Sequence, residues 1–174
     1  MTETGIPERL RWAVDALAVA PTDHVLEIGC GGGAAISLIC DRLTSGRITA
    51  IDRSAKMIER AARRNADHVA VGRASLQVAA LADVDFGDEL FDKILAVNVN
   101  LFWTQPATRE LDLIRRLLRP GGSFCLCYAP PNRAKAAELS EKLARVITTN
   151  GFAIREMTTR TCRSAVLCLL LQPD

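Results

Sequence analysis

The chain has 174 residues, of which 49% are hydrophobic and 24% charged, and its 22 Lys and Arg against 20 Asp and Glu leave a formal net charge of +2. A chain of this length usually forms one domain and can bury about 70% of its unfolded surface. The near-neutral charge predicts no nucleic-acid partner. The longest strongly apolar run, Ala165 to Leu171, is far shorter than the ~20 residues of a membrane span. We therefore expect a single domain over residues 1–174 and no membrane partner.

The N-terminal segment and the cysteines both favour the cytoplasm. Residues 1–12 contain two Glu and no apolar signal core. The six cysteines include no C-x-x-C pair and the chain has only two His, so we predict no metal site. Cys125 and Cys127 alternate within an apolar run, which places both on one face of a strand. We expect both to be free, buried thiols in a reducing compartment.

Hydrophobic spacing predicts a regular alternation of helices and strands along the chain. The helices are expected, in chain order, at Pro7–Ala20, around Ile36 to Leu43, from a cap at Ser54 to Asn65, at Pro106–Leu118 and at Ala134–Thr149. The strands are expected at His24–Ile28, Arg47–Ile51, Leu76–Ala79, Lys93–Val97, Ser123–Tyr128, Phe152–Met157 and Ser164–Leu171. Such alternation is typical of a parallel α/β sheet covered by helices.

The last two predicted strands depart from this pattern. The polar link between them, Thr158 to Arg163, is too short for a parallel crossover, so we expect a hairpin that adds one antiparallel strand. The predicted fold class is an α/β three-layer sandwich with a seven-stranded, mostly parallel sheet and a C-terminal antiparallel hairpin. Within it, residues 1–20 form the N-terminal helix, residues 21–128 the ligand-binding core, and residues 129–174 the C-terminal helix and hairpin.

A glycine-rich turn joins the first predicted strand to the second helix. Four of the five residues from Gly29 to Gly33 are glycines, which let the backbone turn sharply and approach a ligand closely. Asp52 ends the next strand, where a carboxylate can accept both hydroxyls of a ribose. The two features predict a nucleotide-type ligand. The spacing from Gly29 to Ala34 also fits the dinucleotide fingerprint, so NAD remains an alternative at this point.

Four motifs occur in a set order between Pro21 and Tyr128. They are Glu27-x-Gly29-x-Gly31-x-Gly33, Ala50-Ile51-Asp52-Arg53-Ser54 with Met57, Phe91-Asp92, and Leu118-Arg119-Pro120-Gly121-Gly122. In this order and spacing the chain resembles the class I S-adenosylmethionine-dependent methyltransferases. The resemblance implies a Rossmann-like, seven-stranded fold and S-adenosyl-L-methionine as the cofactor.

The resemblance also implies which residues bind the cofactor. They are Glu27, Gly29, Cys30, Gly31, Gly33, Asp52, Arg53, Met57, Ala80, Leu81 and Asn98. Glu27 and the glycine backbone would hold the methionine part, and Asp52 the ribose hydroxyls. Arg53 and Met57 would flank the adenine, with Leu81 on its other face. A carboxylate at Glu27 suits a ligand that carries an ammonium and a sulfonium but would repel a pyrophosphate, which favours this cofactor over NAD.

The chain departs from the family at Ala80. This position often holds an Asp that receives the adenine amino group. Asp83 or Asp85 could substitute for it. If neither does, backbone groups and apolar contacts hold the adenine, and we expect the cofactor to bind more weakly by about 1 kcal/mol, the net contribution of one hydrogen bond.

The segment from Asn98 to Trp103 follows the fourth strand, at the edge where open α/β sheets bind ligands. We predict that Asn100, Phe102 and Trp103 face the acceptor. Family members that methylate exocyclic or amide nitrogens often carry Asn/Asp-Pro-Pro-aromatic here. The chain has Val99 and Asn100 where those prolines stand, which argues against such substrates.

The predicted function is transfer of the cofactor's methyl group to a small-molecule acceptor, mainly by positioning. No catalytic residue is predicted, because both His24 and His68 are expected to be structural. Because no inserted cap domain is expected, a homodimer partner could help to complete the acceptor site. Two alternatives remain. One is a non-catalytic, methyltransferase-like subunit, and the other is an NAD-binding oxidoreductase, for which the chain lacks a Tyr-x-x-x-Lys motif since its only tyrosine is Tyr128.

Overall fold

The computed structural model describes residues 5–161 and 165–174. The helices are α1 (Glu8–Leu17), α2 (Ala34–Cys40), α3 (Ala55–Arg64), α4 (Ala66–Ala70), α5 (Leu101–Thr104), α6 (Thr108–Leu117) and α7 (Arg133–Thr149). The strands are β1 (His24–Ile28), β2 (Arg47–Asp52), β3 (Ala74–Val78), β4 (Phe91–Val97), β5 (Leu118–Tyr128), β6 (Phe152–Thr161) and β7 (Ala165–Pro173). Across these two segments, none of the helices combines the length and the apolar character needed to cross a membrane.

The seven strands form one sheet in the order β3-β2-β1-β4-β5-β7-β6. The first five strands pair in parallel, whereas β7 is antiparallel to both β5 and β6. This topology confirms the predicted fold class, including the C-terminal hairpin. The chain moves outward from β1 to β3 and then returns to β4 on the other side of β1. The carboxyl ends of β1 and β4 therefore form a topological switch point, where open α/β sheets bind their ligands.

Helices cover both faces of the sheet. The helices α1, α2 and α3 pack on one face, and α5, α6 and α7 pack on the other. Alternation along β5 shows how one strand serves both layers, since Phe124 and Leu126 face α6 and α7 while Cys125 and Cys127 face α1. All four side chains are fully buried.

Local capping explains where several helices begin. The Ser54 Oγ accepts a hydrogen bond of 3.4 Å from the backbone N–H of Met57, which confirms the predicted cap of α3. Asn132 caps α7 in the same way, because its Oδ1 accepts a hydrogen bond of 2.9 Å from the Lys135 N–H. These side chains satisfy N–H groups that have no partner inside the helix.

Two predicted strand boundaries differ most from the structure. The strand β5 begins at Leu118 rather than Ser123, because the segment up to Gly122 continues the strand through an irregularity in its pairing with β4. The strand β6 runs to Thr161, so much of the predicted polar link is strand, while residues 162–164 lie outside the described residues. An edge strand has only one neighbouring strand and needs no continuous apolar run. The apolar pattern of the sequence therefore did not reveal how far β6 extends. The short helices α4 and α5 were also not predicted.

The structure corrects the expectation for Cys127. Cys127 and Cys168 pair across β5 and β7 and form a disulfide. The register of these antiparallel strands brings the two residues together, and spacing along the chain does not reveal that register. Cys125 is a free, buried thiol, as predicted, and its Sγ lies 3.6 Å from the Sγ of Cys127.

Candidate active site

The glycine turn after β1 packs closely against the loop that follows β4. The backbone N–H of Gly29 donates a hydrogen bond of 2.8 Å to the carbonyl of Ile51. Gly29 has a φ of +70°, and a Cβ built there would lie 2.8 Å from the Val99 Cγ2. A larger residue would therefore force the two loops apart. Gly31 also has a positive φ, +53°, but a Cβ there would meet nothing within 4 Å.

Asp52, at the carboxyl end of β2, holds the glycine turn in place. Its Oδ2 accepts a hydrogen bond of 2.9 Å from the Gly31 N–H, and its Oδ1 accepts one of 2.9 Å from the Ser54 N–H. Each carboxylate oxygen has a second lone pair, so the group can still accept from a ligand hydroxyl. Asp52 is half-buried and lies at the rim of a cavity described below.

Asn65 fastens the glycine turn to the end of α3. The side chain is buried, with 1% of its surface exposed. Its Nδ2 donates hydrogen bonds of 2.9 Å to the carbonyls of both Gly33 and Ala61, and its Oδ1 accepts one of 2.7 Å from the Ser37 hydroxyl. Sequence reasoning placed Asn65 only as the last residue of a helix. A polar residue next to a turn was the one available signal of this role.

Glu27 is a buried carboxyl group next to the glycine turn. Only 3% of its surface is exposed, and among the described residues its Oε2 has no hydrogen-bond partner. Burial, together with the charge of Asp52, raises the pKa of Glu27 to about 8. A buried carboxylate without a partner is costly, so the site favours either a proton or a cationic ligand.

A cavity of about 550 Å³ opens at the switch point, and we call it the switch-point cavity. Six of the eleven predicted cofactor residues line it, namely Gly29, Asp52, Arg53, Ala80, Leu81 and Asn98. The other five are Glu27, Cys30, Gly31, Gly33 and Met57, none of which is part of its wall as described. The wall also includes three polar residues that sequence reasoning missed, Thr104, Gln105 and Glu110.

Three of the predicted residues outside this wall are buried or half-buried in the glycine turn and in α3. Cys30 is buried in the core beside α2, and burial, followed by the charges of Glu27 and Asp52, raises the pKa of its thiol. Gly33 is buried against α3, where a Cβ would lie 2.7 Å from the Asn65 Nδ2. Met57 is half-buried in the first turn of α3. These positions support the shape of the turn.

The acidic substitutes suggested for Ala80 are not part of the cavity. In the part of the chain that the structure describes, the wall includes neither Asp83 nor Asp85. The Oδ1 of Asp85 instead accepts a hydrogen bond of 2.8 Å from the Gly87 N–H in an exposed turn. Of the described residues near this position, Ala79 to Ala82 line the wall, and all four have apolar side chains.

A second cavity, of about 380 Å³, adjoins the first, and we call it the α7 cavity. Asn98 and Asn100 line both cavities. The Asn98 residue has a φ of +57°, and its Oδ1 accepts a hydrogen bond of 2.9 Å from the Ala129 N–H. This bond joins the loops that follow β4 and β5. The junction of the two cavities is thus held in a defined shape.

The structure separates the two aromatic residues predicted to face the acceptor. Trp103 lines the α7 cavity. Phe102 is fully buried and packs against Phe124, with ring centroids 5.5 Å apart, so it faces the core rather than the acceptor. This corrects the expectation for Phe102. Adjacent residues of the short helix α5 point in different directions, and its existence was not predicted.

Neither cavity wall, as the structure describes it, contains a histidine. His24 begins β1, at the amino end of the sheet, away from the switch point. Its Nε2 lies 3.3 Å from the Thr49 Oγ1, and its ring centroid lies 4.5 Å from that of Phe91. Burial, and then the charge of Arg47, lowers the pKa of His24. The residue is part of the packing at that end.

Comparison with known proteins identifies the class. Residues 25–122, more than half of the chain, match a family model described as a methyltransferase domain. The chain belongs to this methyltransferase family.

Two curated relatives agree with this family. The chain is 31% identical over 113 residues to the ubiquinone/menaquinone biosynthesis C-methyltransferase UbiE of Geotalea daltonii. The aligned residues cover 64% of this chain and 48% of that protein. It is 30% identical over 183 residues to the O-methyltransferase resE of Aspergillus sclerotiorum, covering 95% of this chain and 68% of that protein. The chain thus spans about half the length of the first relative and two thirds of the second.

A solved structure of geranyl diphosphate methyltransferase in complex with S-adenosylmethionine shares the fold. Its TM-score is 0.75, with 14% sequence identity, and the match covers 95% of this chain and 84% of that chain. At this identity the likeness shows the fold alone.

Proposed function

We propose that this chain uses S-adenosylmethionine to methylate a small molecule. The observation that carries the proposal is the buried Oε2 of Glu27 beside the glycine turn, which has no hydrogen-bond partner among residues 5–161 and 165–174. A cationic ligand would supply the missing partner, and S-adenosylmethionine carries both an ammonium and a sulfonium group. A pyrophosphate is an anion, so it cannot supply this cationic partner and would make ionisation of Glu27 still less favourable. The proposal therefore favours this cofactor over NAD.

The residues around the switch-point cavity suit the rest of the cofactor. Glu27 and the backbone of the glycine turn would hold the methionine part, and the free lone pairs of Asp52 would accept the ribose hydroxyls. Arg53 and Leu81 line the same cavity and would bracket the adenine. Because an acidic residue is missing at Ala80, the backbone from Ala79 to Ala82 would bind the adenine edge.

When bound, the cofactor would supply a methyl group attached to a positively charged sulfur. The methyl group would pass to a nucleophilic atom of the acceptor, and the electron pair of the broken bond would stay on the sulfur. The chain's contribution is to bring the acceptor into line. Asn98 and Asn100 line both cavities and are therefore the groups best placed to orient the acceptor atom. Trp103 and Val99 provide apolar surface that excludes water from this junction.

Calorimetric titration tests the proposal. The chain is titrated with S-adenosylmethionine, its demethylated product and NAD. We expect the first two ligands to bind, and we expect Asp52→Ala to lower the affinity for both of them by tenfold or more. Because Asp52 also accepts from two backbone N–H groups, circular dichroism must show that the variant is folded. Asp85→Ala, which removes an exposed acid that caps a turn outside the cavity wall, is the matched control and should bind normally. Binding of NAD alone, or of none of the three ligands to the folded chain, would refute the proposal.

A non-catalytic subunit is the second candidate, and the missing acid at Ala80 and the lack of a histidine in the described cavity walls favour it. The two candidates differ in what Asp52→Ala does. An interaction subunit should still support its partner after this substitution, whereas an enzyme should lose its methyl transfer.

A further inference from the structure

The α7 cavity has the size and walls of a small-molecule site. Its volume of about 380 Å³ lies within the range of ~300–1,000 Å³ that is usual for such sites. Trp103, Pro130, Pro131 and Leu139 provide apolar wall. The Tyr128 hydroxyl already donates a hydrogen bond to the carbonyl of Val99, so this residue mainly offers its ring. The cavity therefore suits a flat, apolar body such as an aromatic ring.

One wall of this cavity is charged, and α7 supplies all of its charges. Lys135, Glu138 and Lys142 follow one another at spacings of three and four residues, which places them on one face of the helix. The Lys135 Nζ lies 2.6 Å from the Glu138 Oε2. The Lys142 Nζ lies 5.7 Å from the centroid of the Trp103 ring, and in the described part of the chain no carboxylate forms an ion pair with it.

The balance of these charges points to an anion. Two lysines and one carboxylate leave a net charge of +1 on the wall. Lys142 is held over an aromatic ring, at the place where a ring-containing ligand would pack. Lys135 is paired with Glu138, but both side chains are largely exposed, with 59% and 68% of their surface accessible. An exposed ion pair of this kind is weak, so a ligand anion can take the place of Glu138.

We propose that the α7 cavity binds a ring-containing acid, with its ring against Trp103 and its anionic group between Lys135 and Lys142. That this acid is the methyl acceptor rests on the proposed function and on the shared wall at Asn98 and Asn100. Glu138 acts as an internal competitor for the acid, because it occupies Lys135 when no ligand is present. The two lysines are thus specificity-determining residues.

Matched acid and amide probes test this proposal. Binding of 2-naphthoate and of its neutral isostere 2-naphthamide is measured by calorimetry in the presence of saturating S-adenosylhomocysteine. We expect the acid to bind about tenfold more tightly than the amide, the usual gain from a charge-assisted hydrogen bond. Lys135→Gln and Lys142→Gln should each remove most of this preference. Glu138→Gln should strengthen binding of the acid. Arg145→Gln changes a cation on the same helix outside the cavity wall and should have no effect.

The outcomes separate this proposal from the proposed function. Equal affinity for acid and amide, or a preference that survives both lysine substitutions, would overturn it. If S-adenosylhomocysteine binds and neither naphthyl probe does, the acid site is refuted while the cofactor assignment stands. If the acid binds in a lysine-dependent manner and S-adenosylhomocysteine does not bind, the acid site is supported and the proposed methyltransferase activity fails.

Discussion

Two glycines of the same turn are glycines for different physical reasons. Gly29 has both a positive φ and no room for a side chain, because Val99 packs against it. Gly31 has a positive φ but faces open space. A side chain at Gly31 would thus leave the folded packing intact.

Alanine at each position should therefore have a different effect. Gly29→Ala should lower the free energy of unfolding by about 3 kcal/mol, since backbone strain and overlap with Val99 add together. Gly31→Ala should lower the free energy of unfolding by about 1 kcal/mol, because only backbone strain contributes there. If the turn cradles the cofactor, Gly31→Ala should nevertheless weaken cofactor binding. Urea unfolding and calorimetry of both variants measure the two effects, and equal losses of stability would contradict this account.

The pKa of Glu27 makes stability depend on pH. The folded-state pKa is about 8 and the ordinary value is 4.5, so the folded chain keeps a proton that the unfolded chain releases above pH 4.5. The stabilisation that comes from this retained proton is fully present below pH 4.5 and is lost as the pH rises to 8. The unfolding free energy should fall across this window by up to about 1.4 kcal/mol per pH unit.

Glu27→Gln removes this titrating group, so the unfolding free energy of this variant should fall less between pH 4.5 and 8. The measurement is the difference in unfolding free energy between the parent and Glu27→Gln from pH 4.5 to 8, by urea denaturation without ligand. Taking the difference cancels His24, whose lowered pKa gives the opposite slope below pH 6.5. Parallel curves for the two proteins would show that Glu27 titrates normally in the folded chain.

At the scale of elements, one buried amide joins α3 to the glycine turn. The Asn65 side chain makes three hydrogen bonds, one with Gly33 of the turn, one with Ser37 of α2 and one with Ala61 of α3. Asn65→Ala should lower the unfolding free energy by about 2 kcal/mol, because it leaves the Gly33 carbonyl and the Ser37 hydroxyl without this partner. It should also weaken cofactor binding, since the turn loses its anchor.

Asn150 offers a matched control for this prediction. It follows α7, and its Nδ2 donates a hydrogen bond of 2.7 Å to the Val146 carbonyl, four residues back, as Asn65 does to Ala61. Asn150→Ala should lower stability and leave cofactor affinity unchanged. Calorimetry and urea unfolding compare the two variants, and equal cofactor affinity in both would show that Asn65 is only structural.

The disulfide between Cys127 and Cys168 joins β5 to β7 across a sequence separation of 41 residues. Cross-links of this kind usually stabilise by about 2–4 kcal/mol. Cys168→Ser, or a reductant, should therefore lower the unfolding free energy of the oxidised chain by that amount. Mass spectrometry of a non-reduced digest should find the linked peptides. If reductant does not change the urea midpoint of the oxidised chain, the cross-link contributes nothing.

At the scale of the whole molecule, residues distant in the chain meet at one edge of the sheet. The switch-point cavity draws its wall from the ends of β1, β2 and β4, from the segment after β3, and from α5 and α6. A ligand bound there would contact segments that separate on unfolding. Its binding should accordingly stabilise the fold as a whole rather than one loop.

Thermal unfolding checks this coupling. At about 100 times its dissociation constant, a ligand that binds only the folded chain adds ~2.7 kcal/mol. S-adenosylhomocysteine should therefore raise the midpoint of a single transition, while NAD at the same concentration should not. A second transition that the ligand leaves unmoved would show that part of the sheet unfolds independently of the site.

Much of the fold could be predicted because burial acts locally. The strand β1 has the predicted bounds, since an apolar run between polar turns has few alternative structures. The start of β5 and the end of β6 could not be predicted. Arg119 to Gly122 reads as a turn, and in the structure it forms an irregularity between Leu118 and Ser123, which both pair with β4. The polar end of β6 reads as a loop, but pairing with β7 keeps it extended.

The candidate site likewise has features that the sequence predicted and features that only the structure shows. The glycine turn, Asp52 and the loop after β4 were predictable from the sequence, because their chemistry lies in adjacent residues at the ends of strands. Only the tertiary structure decided which of them line one cavity, that Phe102 faces the core, and that Asn98 bonds to Ala129.

The sequence by itself determined the alternation of elements and the residue types at the switch point, because short-range hydrophobic patterning and backbone preferences are written in neighbouring residues. The tertiary structure alone decided the anchoring of the turn by Asn65, the pairing of Cys127 with Cys168, and the lysine-bearing wall beside Trp103. Each of these joins residues far apart in the chain. Their contacts depend on strand register and helix packing, which no local pattern specifies.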